Sequence, residues 1–159
     1  SADKFVRVTD LKSGEIIRNL EGHSHYVMDL SWHRNGRTLV SASADNLVKV
    51  WDTSTGQKQK DIRVSNKAAT SVDFIPYSNK FVTSGGDNSL SYFQTDGKKL
   101  RSYNKISDYM IRARTDNEGS IVVAGGQDGS LKIWNLINGK LEHEFNYSPV
   151  GDDPAKLKK

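Results

Sequence analysis

Short apolar stretches alternate with polar ones along the whole chain, and each is bounded by Gly, Asp, Asn or Ser. Residues 38–43, 47–51, 80–84 and 120–124 are rich in Val, Ile, Leu, Thr or aromatic side chains. Runs this short, flanked by turn formers, predict strands. Nowhere does the i, i+3, i+4, i+7 apolar spacing hold over the ten or so residues that a helix needs.

The pattern also repeats. Ser1-Ala2-Asp3-Lys4-Phe5-Val6-Arg7-Val8-Thr9-Asp10 returns as Ser43-Ala44-Asp45-Asn46-Leu47-Val48-Lys49-Val50-Trp51-Asp52, and again, diverged, at 85–94 and 126–135. Turn aspartates Asp3, Asp45, Asp87 and Asp128 are 42, 42 and 41 residues apart. A trailing glycine follows them at Gly14, Gly56, Gly97 and Gly139, spaced 42, 41 and 42. Two independent markers keep one period, and a period of about 40–45 residues with four strands in each predicts propeller blades.

Gly22-His23, then Asp45, then Trp51-Asp52 resembles the signature of a WD40 repeat, and Trp134-Asn135 is a variant of its end. The resemblance runs from Ser1 to about Asn146. It implies an all-β fold, a partial WD40-type β-propeller of four-stranded antiparallel blades. Each blade runs from an innermost strand a through b and c to an outer strand d. The expected strands are 27–32, 38–43, 47–51 and 57–64 in blade two, then 70–75, 80–84, 89–93 and 98–103 in blade three. Blade four takes 109–115, 120–124, 130–134 and 140–146. Residues 4–9 and 15–20 supply only strands c and d of a first blade. The domain divides into a half blade at 1–21 and full blades at 22–64, 65–106 and 107–147, followed by a basic tail or linker at 148–159.

Fourteen strands make three blades and a c–d half blade, about half of the seven-bladed ring the resemblance implies. An unfinished ring leaves a blade face open at each end, and open faces and edges invite pairing. The missing blades of the same propeller are the expected partner, because Ser1 falls inside the Ser-x-Asp turn of a repeat and the tail reads as an exit linker. A homodimer is the alternative, weakened because two copies offer two c–d hairpins and no a–b hairpin to complete either. A cap from a different chain is the third.

The resemblance implies that His23, a strand-b serine (Ser41 or Ser43), Asp45 and Trp51 form a hydrogen-bonded structural tetrad. A buried indole N–H needs an acceptor, and buried imidazole and carboxylate need each other. Strand alternation puts Ser41 and Ser43 on one face; Ser41 lies more nearly opposite Trp51 if the hairpin turns at Asp45-Asn46. The same residues resemble a Ser-His-Asp triad, but a set buried between blades has neither access path nor oxyanion hole. Blade three lacks the set, with Phe93 in place of Trp51 and Lys67-Ala68 where Gly-His stood. Blade four keeps Trp134 but has Ser107-Asp108, so blade two is expected to be the most rigid.

Composition narrows the chemistry further. The chain has no Cys, which removes disulfides, thiolate metal sites, a Cys nucleophile and haem attachment through C-x-x-C-H. Its 23 Lys+Arg against 19 Asp+Glu give +4, and the lysines are scattered, which argues against a nucleic-acid stripe. No apolar run is long enough for a transmembrane helix. His23, His25 and His33 are close in sequence, but His23 is committed to the tetrad and His33 lies at the far end of strand a, which argues against zinc. The Gly-rich stretches at 85–88 and 125–129 fall at b–c turns and match no phosphate-loop pattern. No cofactor is implied, and no catalytic group.

What remains is surface. The d–a and b–c loops of such repeats commonly dock peptides, and His25, Tyr26, Asn46, Lys67, Asn88, Asp108, Tyr109 and Gln127 are the candidates there. Arg112 and Arg114 alternate along the innermost strand of blade four, either facing the channel or serving as solvated or blade-packing charges. The expectation is a non-catalytic protein–protein interaction scaffold. The alternative is an accessory propeller segment of a larger bacterial multidomain enzyme or haem protein.

Overall fold

The computed structural model describes residues 1–104, 106 and 108–146; the tail expected at 148–159 lies outside them, as do Lys105 and Ser107. Among the described residues there are fourteen strands and no helix, so no helix is long and apolar enough to cross a membrane. β1 (Val6–Thr9) and β2 (Ile16–Leu20) form a hairpin. β3 (Val27–Trp32), β4 (Thr38–Ser43), β5 (Leu47–Asp52) and β6 (Gln57–Arg63) form a four-stranded antiparallel sheet. A second sheet holds β7 (Ala69–Phe74), β8 (Lys80–Gly85), β9 (Leu90–Gln94) and β10 (Lys99–Ser102). A third holds β11 (Met110–Thr115), β12 (Ile121–Gly126), β13 (Ser130–Asn135) and β14 (Leu141–Asn146). Three complete blades follow a half blade, and the partial WD40-type propeller read from the repeats is the fold. The strand ends fall within a residue or two of those expected; the largest trim is at Lys4 and Phe5, which belong to the turn before β1.

Turn chemistry explains the repeat. After each turn aspartate comes a residue in the left-handed region: Lys4 (φ 71°), Asn46 (73°), Asn88 (63°) and Gly129 (76°). Asp3, Asp45 and Asp128 each accept the backbone N–H two residues on, from Phe5, Leu47 and Ser130, closing the Asx turn that starts strand c. At the other end of strand c, Gly14, Gly56 and Gly139 donate to the carbonyl four residues back (Asp10, Asp52, Asn135). Gly97 donates to Gln94, only three back, so this turn is one residue shorter and the glycine interval there drops to 41.

The core lies between blades. Leu39 and Trp51 face the half blade, packed with Val6, Leu20 and Val27. Val40, Ala42, Val48 and Val50, on the opposite side of the same sheet, meet Phe74, Phe81 and Phe93 of the next. Val82, Leu90 and Tyr103 then meet Val122, Ala124 and Trp134. The period-2 alternation of each strand thus serves two interfaces at once, which is why both faces of β4 and β5 are buried.

Candidate functional site

In blade two, strands β4 and β5 pair with Leu39 opposite Trp51, so Ser41 sits diagonally beside the indole on the same face. The Trp51 Nε1–H donates to Ser41 Oγ over 2.8 Å. Ser41 Oγ lies 2.7 Å from His23 Nε2, and His23 Nδ1 lies 2.7 Å from Asp45 Oδ2. An indole only donates and a carboxylate only accepts, so the directions between them are fixed: Ser41 O–H donates to Nε2, and Nδ1–H donates to Asp45. Burial pushes the His23 imidazole below its ordinary value, against the raising pull of Asp45, and the neutral ring fits that chain of donors. Gly22, at φ 149°, brings the backbone over the indole; a Cβ there would stand 3.4 Å from Trp51 Cη2. Ser43 is used differently, donating to the His25 carbonyl and accepting from the Asp45 N–H. Ser41 is fully buried with both bonds committed, leaving no exposed nucleophile in this Ser-His-Asp set.

The other blades satisfy the same positions by other means. Ala124 of blade four stands where Ser41 stands, so the Trp134 indole donates to the Asn104 carbonyl (3.1 Å). Beside it the buried Tyr103 hydroxyl donates to the Leu136 carbonyl at 2.9 Å, and burial raises its pKa above the ordinary phenol value. In blade three, Phe93 stacks on Phe81 with centroids 5.8 Å apart, and needs no polar partner. Asp87 accepts the Asn66 N–H at 2.7 Å, the counterpart of Ser24 donating to Asp45.

A second constellation joins the innermost strands. Asp29 Oδ2 accepts the Val72 N–H (3.1 Å) and Ser31 Oγ the Phe74 N–H (3.0 Å). One blade on, Ser71 Oγ accepts the Ala113 N–H (2.9 Å) and Asp73 Oδ2 the Thr115 N–H (2.9 Å). Each edge strand thus satisfies two backbone donors of its successor, groups that would otherwise face the channel. Pairing with strand b gives Arg112 and Arg114 the places held by Asp29 and Ser31, and by Ser71 and Asp73. Arg114 turns back to fork onto Asp29, while Arg112 reaches only to 3.6 Å of Asp29. Asp29, Ser31, Ser71 and Asp73 were missing from the candidates read in the sequence. Their signal is the same period: 29, 71 and 112, and 31, 73 and 114, are 42 and 41 residues apart.

The remaining candidates gather at one end of the blades. The d–a and b–c loops are tied together there by one backbone bond of 2.9 Å in each blade: Ala44 N–H to Tyr26, Gly86 N–H to Ala68, and Gln127 N–H to Tyr109. His25, Tyr26, Lys67, Asn88 and Gln127 are exposed, with His25 edge-on to Tyr26. Asn46 is half-buried in its turn. Asp108 and Tyr109 are also half-buried, and Tyr109 lies across Gly86, where a Cβ would stand 2.5 Å from its ring. Among the described residues no His, Asp and Glu cluster suits a metal ion. The His33 ring is edge-on to Phe74.

Comparison with known proteins adds a family to this geometry. The family model for the WD domain, G-beta repeat, matches residues 14–52 and 108–135, flanking blade three, which has Phe93 in place of the tryptophan. The chain is similar to COMPASS component SWD3 of Saccharomyces cerevisiae, 26% identical over 161 residues that cover 94% of this chain and 50% of SWD3. It is 33% identical over 129 residues to apoptotic protease-activating factor 1 of Homo sapiens, covering 78% of this chain and 10% of that protein. Probable coatomer subunit beta' of Schizosaccharomyces pombe is 26% identical over 140 residues, covering 86% and 18%. The chain spans half or less of each of these relatives.

Proposed function

We propose, from the premise that this chain belongs to the WD40-repeat family, that it is a non-catalytic scaffold presenting its d–a and b–c loops to a protein partner. Proteins of this family generally act through protein–protein interaction. The observation that carries the reading is the loop face. Three blades hold their paired loops by the same backbone bond, so Tyr26, Lys67 and Gln127 project from a fixed frame rather than from independent loops. Tyr26, about half exposed beside His25, supplies rigid amphipathic area at little entropic cost, the property of a binding anchor. The buried, fully committed Ser41 supports the non-catalytic half of the proposal.

The ring is completed by further blades, in the same chain or from another. This rests on the open faces at both ends, where Met28 and Leu30 of β3, and Leu131 and Phe145 of the last sheet, stand roughly half exposed. A chain that spans only 10–50% of its relatives also suits a segment of a larger multidomain protein.

Affinity capture with the purified chain tests the scaffold, comparing it with a Tyr26→Ala/Lys67→Glu variant of unchanged melting temperature. Reproducible protein partners lost in the variant support the loop face. Partners retained equally by both, or no reproducible partner, count against it.

A further inference from the structure

The last blade ends the inner-strand ladder with cations. Blades two and three offer Asp29 with Ser31, and Ser71 with Asp73, to the backbone donors of the next strand. In the third complete blade the same two places hold Arg112 and Arg114, which have no acceptor to give. Around them the sheet face is built to be covered. Val48 and Leu90 are 0% and 1% exposed where Leu131 is 43%; Ile62 and Tyr103 are 4% and 5% where Phe145 is 54%. Ile111, Val123, Gly125 and Leu131 line a hollow of about 360 Å³ beside Arg112 and Arg114. Arg114 is spent on Asp29, while the half-exposed Arg112 has a 3.6 Å ion-pair contact and keeps donors for another acceptor.

Resting on the reading that further blades complete the ring, we propose that the strand seated on this face is an inner strand bearing a carboxylate. Its Asp or Glu takes the Arg112 guanidinium and its apolar side chains fill the hollow. Charge-assisted bonds then replace the acceptor ladder used between the preceding blades. A second copy is a poor occupant. Set face to face, it would oppose Arg112 to Arg112; set head to tail, its Asp29 is already held by its own Arg114 and Val72.

The test is an NMR titration of the isotope-labelled full chain with two synthetic peptides. One is residues 24–33, an inner-strand sequence carrying Asp29; the other is the same peptide with Asp29→Lys. The acidic peptide should shift the amide resonances of Ile111, Arg112, Val123 and Leu131, and bind about tenfold more tightly than the lysine peptide. Arg112→Glu in the chain should reverse the order. Arg112→Gln, at an exposed position that tolerates it, should abolish the preference without lowering the melting temperature. Equal binding of the two peptides, shifts confined to other residues, or no shifts at all would each overturn the proposal. Each of these failures removes the carboxylate partner of Arg112 alone; the half-exposed apolar faces at both ends, on which ring completion rests, and capture through the loop face stand apart from it.

Discussion

The Arg114 guanidinium forks onto both oxygens of the Asp29 carboxylate, Nη1 2.8 Å from Oδ2 and Nη2 3.1 Å from Oδ1, joining two blades that have a third between them. Asp29 is 8% exposed and also accepts the Val72 N–H, so its carboxylate binds three blades at one point. Arg114 is 40% exposed, which dilutes the charge contribution with solvent. Asp29→Ala is therefore expected to destabilise by about 1–3 kcal/mol, mostly through the orphaned donors. A double-mutant cycle of Asp29→Asn with Arg114→Gln, followed by urea unfolding, should show a coupling of about 1 kcal/mol. Additive effects would mean that the fork contributes nothing across the blades.

The direction of the tetrad makes Ser41 its least replaceable member. Its hydroxyl is both acceptor for Trp51 and donor to His23, so Ser41→Ala strands a buried N–H and a buried ring nitrogen. About 2–3 kcal/mol of stability should go with it. Blade three shows the alternative solution, an aromatic stack with no polar hydrogen at this place. Adding Trp51→Phe to Ser41→Ala should thus cost less than the sum of the two single changes, read from urea midpoints with an unchanged slope.

Stability should also fall in mild acid. Burial holds the folded His23 below the ordinary imidazole value, whereas the unfolded chain takes up this proton near pH 6.5. Between that pH and the lower folded value the unfolded state binds more protons, so the folded state loses ground as pH falls and keeps the full contribution above about pH 6.5. Asp45 adds a later loss. Burial raises its carboxyl, but the bond from His23, the imidazole charge and the Ser24 and Leu47 N–H groups outweigh that, and its pKa stays below the usual carboxylate range. Urea midpoints measured from about pH 7.5 down to about pH 5 should decline in the parent and decline less in His23→Gln, a variant weaker at neutral pH. A parallel decline in both would remove His23 as the sensor.

The strands were legible because every turn in the repeat announces itself: an aspartate before a left-handed residue at one end of strand c, a glycine at the other. That chemistry is local, so sequence reads it well. The preference for Ser41 over Ser43 was legible only as a conditional, on a hairpin turning at Asp45-Asn46, because it depends on a diagonal contact set by the pairing of β4 with β5. The Asn104 carbonyl as partner of Trp134 was hidden for a related reason: a backbone acceptor has no letter of its own. Asp29 and Asp73 were overlooked because their donors lie in the next blade, 43 and 42 residues on, and nothing near them in sequence hints at a partner. Arg112 and Arg114 were legible as an alternating pair, but their inversion of the ladder emerges only when the inner strands are laid side by side.

The half blade offers a route to greater stability through its own turn. Lys4 sits at φ 71°, in the place that Asn46, Asn88 and Gly129 fill in the other repeats. A left-handed conformation costs a residue with a β-carbon about 1–2 kcal/mol, less for Asn and nothing for Gly. Lys4→Gly should therefore stabilise by up to about 1 kcal/mol after the extra entropy of glycine in the unfolded chain is counted. Among the described residues the Lys4 side chain has no hydrogen-bond or ion-pair partner to lose, whereas Asp3 at the same turn is held by Arg7 and Ser1. Asn46→Val, the reverse test in an intact blade, should cost about 1–2 kcal/mol, since a β-branched residue fits this region worst. For a chain of this size each kcal/mol corresponds to about 2–4 °C in melting temperature, well within the resolution of a thermal scan. A Lys4→Gly protein that melts lower than the parent would show that strain at this turn does not limit the stability of the half blade.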